Sequence, residues 1–300
     1  MRPEQTIFIG IDLGTSGVPA LAVRGSGDVV ASASVPLDSA VLALPEGRHE
    51  QPPEAWWSAL CQATTKLVAD LGTARVQRKQ LEAIAVDGTS GTVVASNTGT
   101  EWIAQRYPDG YPEDLDAEVS KRLPSQYLAY PLARRGERFP FLVASAEGFL
   151  SPHTSDRVDC HAACLQGVAF VERLGYEVLD RVAGQEEADA KLVSPGAGAP
   201  SCAGGRRGCV YSTSGGSRSD LWMQCRADVT GRVVHRPACP ESAFGSAVLA
   251  ASGTIYQGIP YAIEKMVHHE KSFTPSAERA VAYDRLYGRF CEELTSRGYL

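Results

Sequence analysis

The sequence predicts an α/β protein built from a strand-rich N-terminal unit and a helix-rich remainder. Three observations carry this. Ile7, Ile9 and Ile11 alternate around Phe8 and Gly10, the period of a strand. A segment opened by Pro52 and Pro53 follows, with Trp56, Leu60, Leu67 and Leu71 at helical spacing. Then LEAIAVD, residues 81–87, returns to strand composition and ends in a polar Gly-Thr-Ser-Gly loop.

Taken in order, strands are expected at residues 6–12, 18–23 and 29–35. The turns Gly14-Thr15-Ser16 and Gly25-Ser26-Gly27-Asp28 join them into an antiparallel meander. A helix from residue 53 and a strand at 81–87 complete this unit. Trp56 and Trp57 are expected in the core between helix and sheet. Residues 97–116 are polar and punctuated by proline and glycine, and 127–141 read as an irregular segment of alternating aromatics and arginines. Ser155 or Asp156 caps a long helix that includes Cys160 and Cys164, read as small buried hydrophobes. Residues 190–207 lack periodicity and read as a loop. A short strand at 209–213 runs through Ser214-Gly215-Gly216-Ser217 into a helix at 218–229. A strand at 233–236 and helices at 241–251, 261–267 and 276–297 follow. His268 and His269 are read as a solvated helix face.

Length, charge and cysteine usage narrow the function classes. Three hundred residues suit about two domains. With 29 basic and 35 acidic residues the net charge is −6, which argues against a partner bound through a nucleic-acid backbone. No run approaches the ~20 apolar residues of a membrane helix, and no secretory leader is recognisable at the start. The eight cysteines form no C-x-x-C pair. The cytoplasm is the expected compartment.

Two stretches have the chemistry of a nucleotide site. In GIDLGTSG, residues 10–17, Gly14 lets the backbone approach a ligand closely, and its neighbouring amides with the Thr15 and Ser16 hydroxyls can donate to phosphate. Asp12 beside them has the oxygen chemistry to hold Mg²⁺. An ordinary hairpin turn accounts for the same residues. In STSGGSRSDLW, residues 212–222, Gly215 and Gly216 allow a ligand to lie against main chain at a helix start. A tight strand-to-helix connection is the alternative there.

Together these stretches resemble the FGGY carbohydrate kinases. The matching segments, in family order, are GIDLGTSG (10–17), EQPPEAWW (50–57), AIAVDGTSGTVV (83–94), YPLARRGERFPF (130–141), LQGVAFVERL (165–174), TSGGSRSDLWMQCRADVTGR (213–232) and ESAFGSAVLAASG (241–253). The RGERFP variety is most similar to pentulose kinases of the xylulokinase and D-ribulokinase type.

The resemblance implies the two-lobed actin-like ATPase fold, related to ribonuclease H. Residues 1–95 would be a truncated N-terminal lobe and 96–300 part of a C-terminal lobe. It implies ATP and Mg²⁺ as cofactors, with phosphoryl transfer to a pentulose or related sugar or polyol. Asp12 would be the magnesium-linked aspartate, and Gly14, Thr15 and Ser16 the first phosphate motif. Asp87, Thr89 and Ser90 would face the sugar, and Gly215, Gly216 and Ser217 would bind adenosine. Arg134, Arg135 and Arg138 read as salt-bridge residues of lobe packing.

The chain departs from the family pattern in places. The family's catalytic aspartate lies in a Gly-x-x-Asp-Ala context that this sequence lacks, so no catalytic base is assigned. The sequence reads as if a large internal segment were deleted near Val94–Ala95. Asp109, Asp114 and Asp116 are the nearest carboxylates after that junction. Pro19 falls in the second strand, where it would remove a ladder donor, and Ser214 stands at the first glycine of the adenosine motif. An inactive nucleotide-binding remnant, or a truncated gene-model product, is the alternative to an active kinase. A homodimer would cover the sheet edges that a deletion exposes.

Overall fold

The structure is a computed structural model, and it describes residues 2–37, 51–88, 115–132, 135–191, 208–213 and 215–300. The chain divides into two compact units. The first is Met1–Thr92 with Arg236–Lys271; the second is Val93–His235 with Ser272–Leu300. The sequence expectation breaks the chain near residue 95, whereas Arg236–Lys271 clusters with the first segment.

In the first unit, β1 (Ile7–Leu13), β2 (Gly17–Arg24), β3 (Val29–Pro36) and β4 (Leu81–Gly88) form one sheet in the order β3-β2-β1-β4. The meander pairs antiparallel and β4 joins β1 in parallel. Helix α1 (Pro53–Thr73) makes the crossover. Because a strand alternates its side chains, β1 serves two faces. Ile7, Ile9 and Ile11 join Ala59, Ala63, Leu67 and Leu71 of α1 in one buried cluster. Phe8 joins the opposite cluster, with Ala243, Phe244 and Ala247 of a later helix, Ser242–Ser252.

Gly10 shows why that face carries no side chain at its centre. A Cβ there would stand 1.8 Å from the Ala243 carbonyl oxygen and 2.4 Å from the Ala247 nitrogen. Pro19 stands opposite Ser34 of β3 within β2, and the register between β1 and β2 ends beside it at Ile11↔Ala20.

In the second unit, α2 (Leu115–Ser120), β5 (Leu128–Tyr130) and β6 (Phe149–Ser151) precede the long helix α3 (Arg157–Lys191). Asp156 caps α3, its Oδ1 accepting from the Val158 and Asp159 amides at 2.9 Å each. Then come β7 (Val210–Tyr211), a 3-10 turn at Gly215–Arg218, and α4 (Asp220–Thr230). Strand β8 (Val234–Pro237) follows; α5 (Ser242–Ser252) and α6 (Ile259–Met266) belong to the first unit, and after β9 (His269–Phe273) the helix α7 (Ala277–Ser296) completes the second. The core of this unit is aromatic: Tyr130, Phe149, Phe170, Tyr283, Tyr287 and Phe290 are all buried in one cluster. Cys160 and Cys164 are buried among apolar side chains, as expected of small hydrophobes.

Two local expectations are corrected, and one strand is added. His269 opens β9 rather than lying on a helix; HEKSF is polar, and its first four residues are exposed, so no apolar alternation marks it. Trp57 is 68% exposed while Trp56 packs against the core, because a 100° helical step carries Trp57 off the buried stripe. Strand β6 was not expected at all; three residues are too few to show a period.

Asp228 ties α4 to α7. Its Oδ1 accepts from the Ser276 amide at 2.7 Å and from Gln224 Nε2 at 2.9 Å, and Oδ2 pairs with Arg279 Nε at 3.0 Å. Burial nevertheless raises its pKa above the ordinary 3.8, against these three stabilising contacts. A carboxyl with a raised folded-state pKa keeps its proton longer in the folded state. Its contribution to stability therefore falls as pH rises from 3.8 through the folded value. Asp228→Asn removes that titration. Urea unfolding across pH 3.5–7 should show the variant's stability relative to wild type improving as pH rises through this window.

Candidate functional site

The first cluster lies at the C-terminal ends of β1 and β4. Parallel pairing places Asp12 opposite Asp87 and Leu13 opposite Gly88, so both carboxylates leave the sheet at one edge. They share a face, and α5 supplies a partner to each. Ser242 Oγ donates to Asp12 Oδ2. One helical turn later, Ser246 Oγ contacts Asp87 Oδ1 at 2.6 Å and the Ile11 carbonyl at 3.3 Å. Ser246 is buried whereas Asp87 is exposed, so the serine fixes a carboxylate that still faces solvent.

The turn that follows β1 closes tightly. The Gly14 amide donates to the Gly17 carbonyl at 3.1 Å, so it is engaged within the hairpin. The Thr15 carbonyl accepts from Gln51 Nε2 at 2.8 Å, and Trp56 Nε1 in turn donates to Gln51 Oε1 at 3.1 Å. Thr15 and Ser16 are exposed. A Cβ on Gly14 would lie 3.0 Å from the Gly17 carbonyl and 3.8 Å from Asp12 Oδ2. The absent side chain keeps the turn and the carboxylate accessible from one side.

The sequence expectation thus brings Asp12, Gly14, Thr15, Ser16 and Asp87 to one end of one sheet. Thr89 and Ser90 lie outside the described residues. Ser242 and Ser246 were missed as partners, although their i, i+4 spacing in ESAFGS puts both hydroxyls on one helix face.

The second cluster belongs to the other unit. Strand β7 pairs with β8 in parallel, Val210↔Val234 and Tyr211↔His235, and the Ser212 amide continues the ladder to the His235 carbonyl at 2.9 Å. The chain then enters the Gly215–Arg218 turn. Ser219 caps α4: its Oγ accepts from the Trp222 amide at 3.1 Å and donates to Asp116 Oδ2 at 2.6 Å. A Cβ on Gly216 would lie 3.4 Å from Trp222 Nε1, so the indole backs the glycine turn. Ser217 is 1% exposed, so its side chain turns inward rather than toward solvent. Gly231, in the left-handed region at φ 66°, ends the helix.

Several other expectations resolve differently. Asp116 sits in α2 and holds Ser219, which leaves it in a structural role; Asp109, Asp114, Arg134 and Ser214 fall outside the described residues. Arg135 approaches Glu147 at 3.6 Å in an exposed pair, of a kind that contributes little to stability. No group of three metal-ligating side chains occurs among the described residues.

Comparison with known proteins follows the same lines. A family model described as the C-terminal domain of the FGGY family of carbohydrate kinases matches residues 23–254. A xylulose kinase of Staphylococcus epidermidis is 22% identical over 205 residues, which is 66% of this chain and 37% of that protein. The chain thus spans little more than a third of the length of that curated relative. A ligand-bound xylulose kinase from Lactobacillus acidophilus superposes with a TM-score of 0.66 at 11% identity, covering 97% of this chain and 98% of that one. A glycerol kinase from Plasmodium falciparum with ADP gives a TM-score of 0.63 at 8% identity, covering 96% and 98%. At these identities the likeness shows the fold, which is the actin-like ATPase fold expected from the sequence.

Proposed function

Since the chain belongs to the FGGY family of carbohydrate kinases, we propose that it transfers the terminal phosphoryl group of ATP to a hydroxyl of a pentulose or a related sugar or polyol. The observation that carries this reading is the paired carboxylates Asp12 and Asp87 on adjacent parallel strand ends, each held by a serine of α5.

Such a transfer is achieved by positioning and by charge stabilisation more than by covalent chemistry. Asp87 accepts from Ser246, and its exposed carboxylate can accept further hydrogen bonds from substrate hydroxyls. Thr15 and Ser16 can donate to phosphate oxygens from the turn beside Asp12. Mg²⁺ fits this donor set, which is all oxygen, and Asp12 would hold it. When bound, it neutralises phosphate charge. The Gly215–Gly216 turn, backed by Trp222, would take adenosine against main chain, with Ser217 contributing backbone groups.

The test is ADP release by the full chain with Mg-ATP over a panel of pentuloses and polyols. Sugar-dependent release supports the reading. ATP binding without release on any sugar would support the nucleotide-binding remnant instead, in keeping with the missing Gly-x-x-Asp-Ala motif.

The assembly we propose is a homodimer. Its support is the outer edge of β4, where Ile84 is 61% and Val86 53% exposed and where the sheet order ends. Light scattering at about 10 µM, in the range where stable dimers persist, should read twice the chain mass; a monomer rejects the proposal. The compartment we propose is the cytoplasm, supported by the free thiols of Cys61, Cys225, Cys239 and Cys291. Among the described residues no helix is long and apolar enough to cross a membrane.

A further inference from the structure

The turn Gly215–Arg218 is approached by one side chain that the proposed chemistry does not use. Arg226, on the second turn of α4, is 14% exposed at its side chain and meets Glu172 of α3 through two hydrogen bonds. Nε donates to Oε2 at 2.7 Å and Nη2 to Oε1 at 2.8 Å. The remaining arm, Nη1, donates to Ser212 Oγ at 2.5 Å. The guanidinium carbon lies 5.9 Å from the centre of the Trp222 ring. Burial works against the charge of Arg226, but the hydrogen bonds and charge of Glu172 outweigh it and raise the pKa.

These contacts bracket the turn. Ser212 is the last residue in the β7 ladder before the chain departs, and Trp222 is the ring behind Gly216. One planar group therefore bonds the residue that enters the turn and lies beside the ring that backs it. A lysine is a point charge and cannot aim three contacts in this way. Stability alone does not account for the arrangement, because apolar side chains of similar volume commonly match or exceed a buried ion pair. What the pair adds is direction.

We propose that Glu172 and Arg226 are positioning residues for nucleotide binding, holding Ser212 and Trp222 so that the backbone of Gly215–Ser217 stands ready for an adenosine group. The inference rests on the nucleotide-binding reading of this turn.

The experiment is equilibrium titration of the full chain with fluorescent Mg-ATP and, by competition, with Mg-tripolyphosphate, alongside thermal midpoints. The variants are Arg226→Lys, Ser212→Ala and the double replacement Glu172→Met with Arg226→Met. The double replacement should keep a midpoint close to wild type and weaken Mg-ATP by about tenfold, a loss of ~1.4 kcal/mol. Tripolyphosphate affinity should stay unchanged in every variant, because the phosphates do not meet this turn. Arg226→Lys, which keeps the charge, should also lose ATP affinity, and Ser212→Ala should add nothing on the Met/Met background. Should the double replacement fail to fold, Arg226→Lys and Ser212→Ala decide alone. Folded variants that bind ATP like wild type overturn the inference. So does an equal loss for both ligands, which would mark a general structural role. Wild type that fails to bind ATP overturns the nucleotide reading itself, and this inference with it.

Discussion

Asp12→Ala is expected to lower sugar-dependent ADP release at least about 100-fold, the scale seen when one electrostatic stabiliser of a transition state is removed. The thermal midpoint should move little. The half-buried carboxylate faces the edge of the sheet, and its Ser242 partner is exposed and can turn to water. The same reasoning separates Asp12 from Asp87. Loss of Asp12 removes the group that would hold Mg²⁺, so excess magnesium should recover part of the rate in Asp12→Asn, where one oxygen donor remains. Loss of Asp87 removes the proposed substrate contact, so Asp87→Ala should act mainly through the sugar KM. Steady-state kinetics at varied sugar and varied magnesium distinguishes the two. A rate unchanged by Asp12→Ala would remove the strand-end carboxylates from the proposed chemistry.

Gly10→Ala is expected to destabilise the first unit by ~3 kcal/mol, the upper part of the range for overpacking a well-filled core. The new methyl would stand 1.8 Å from the Ala243 carbonyl oxygen and 2.4 Å from the Ala247 nitrogen. Both are helix backbone, so no side chain can swing away, and α5 must lift from β1. That motion would also carry Ser242 and Ser246 away from Asp12 and Asp87. Gly245→Ala is the internal control. It lies on the exposed side of the same helix with nothing within 4 Å of its added Cβ. There the exchange should stabilise by up to about 1 kcal/mol through helix propensity. Urea unfolding of the two variants reads the contrast directly.

Much of the architecture was legible because its signals are local. Alternating isoleucines mark β1, and the prolines at 52 and 53 mark the start of α1. Asp156 marks a helix start through a cap that acts within three residues. The elements that escaped lack such signals. Strand β6 has three residues, and β9 is a polar strand whose identity comes from its pairing rather than from its composition. Trp57 shows the converse error: an aromatic beside a core position need not share it, because neighbours on a helix point 100° apart.

The candidate site was half legible for the same reason. Asp12 and the Gly14-Thr15-Ser16 turn are contiguous, as are Gly215, Gly216 and Ser217, so sequence alone proposes them. Their partners are distant in the chain: Ser242 stands 230 residues from Asp12, Ser246 159 residues from Asp87, and Glu172 54 residues from Arg226.

By itself, then, the sequence determined the family, the strand and helix periods, and the small residues of the two candidate turns. These depend on neighbours along the chain. Only the tertiary structure decided that α5 belongs against β1, that its serines hold both strand-end carboxylates, and that Arg226 braces the glycine turn. Each is a contact between segments whose spacing carries no periodic trace. Packing selects it: a helix face of small residues meets a strand whose central side chain is missing.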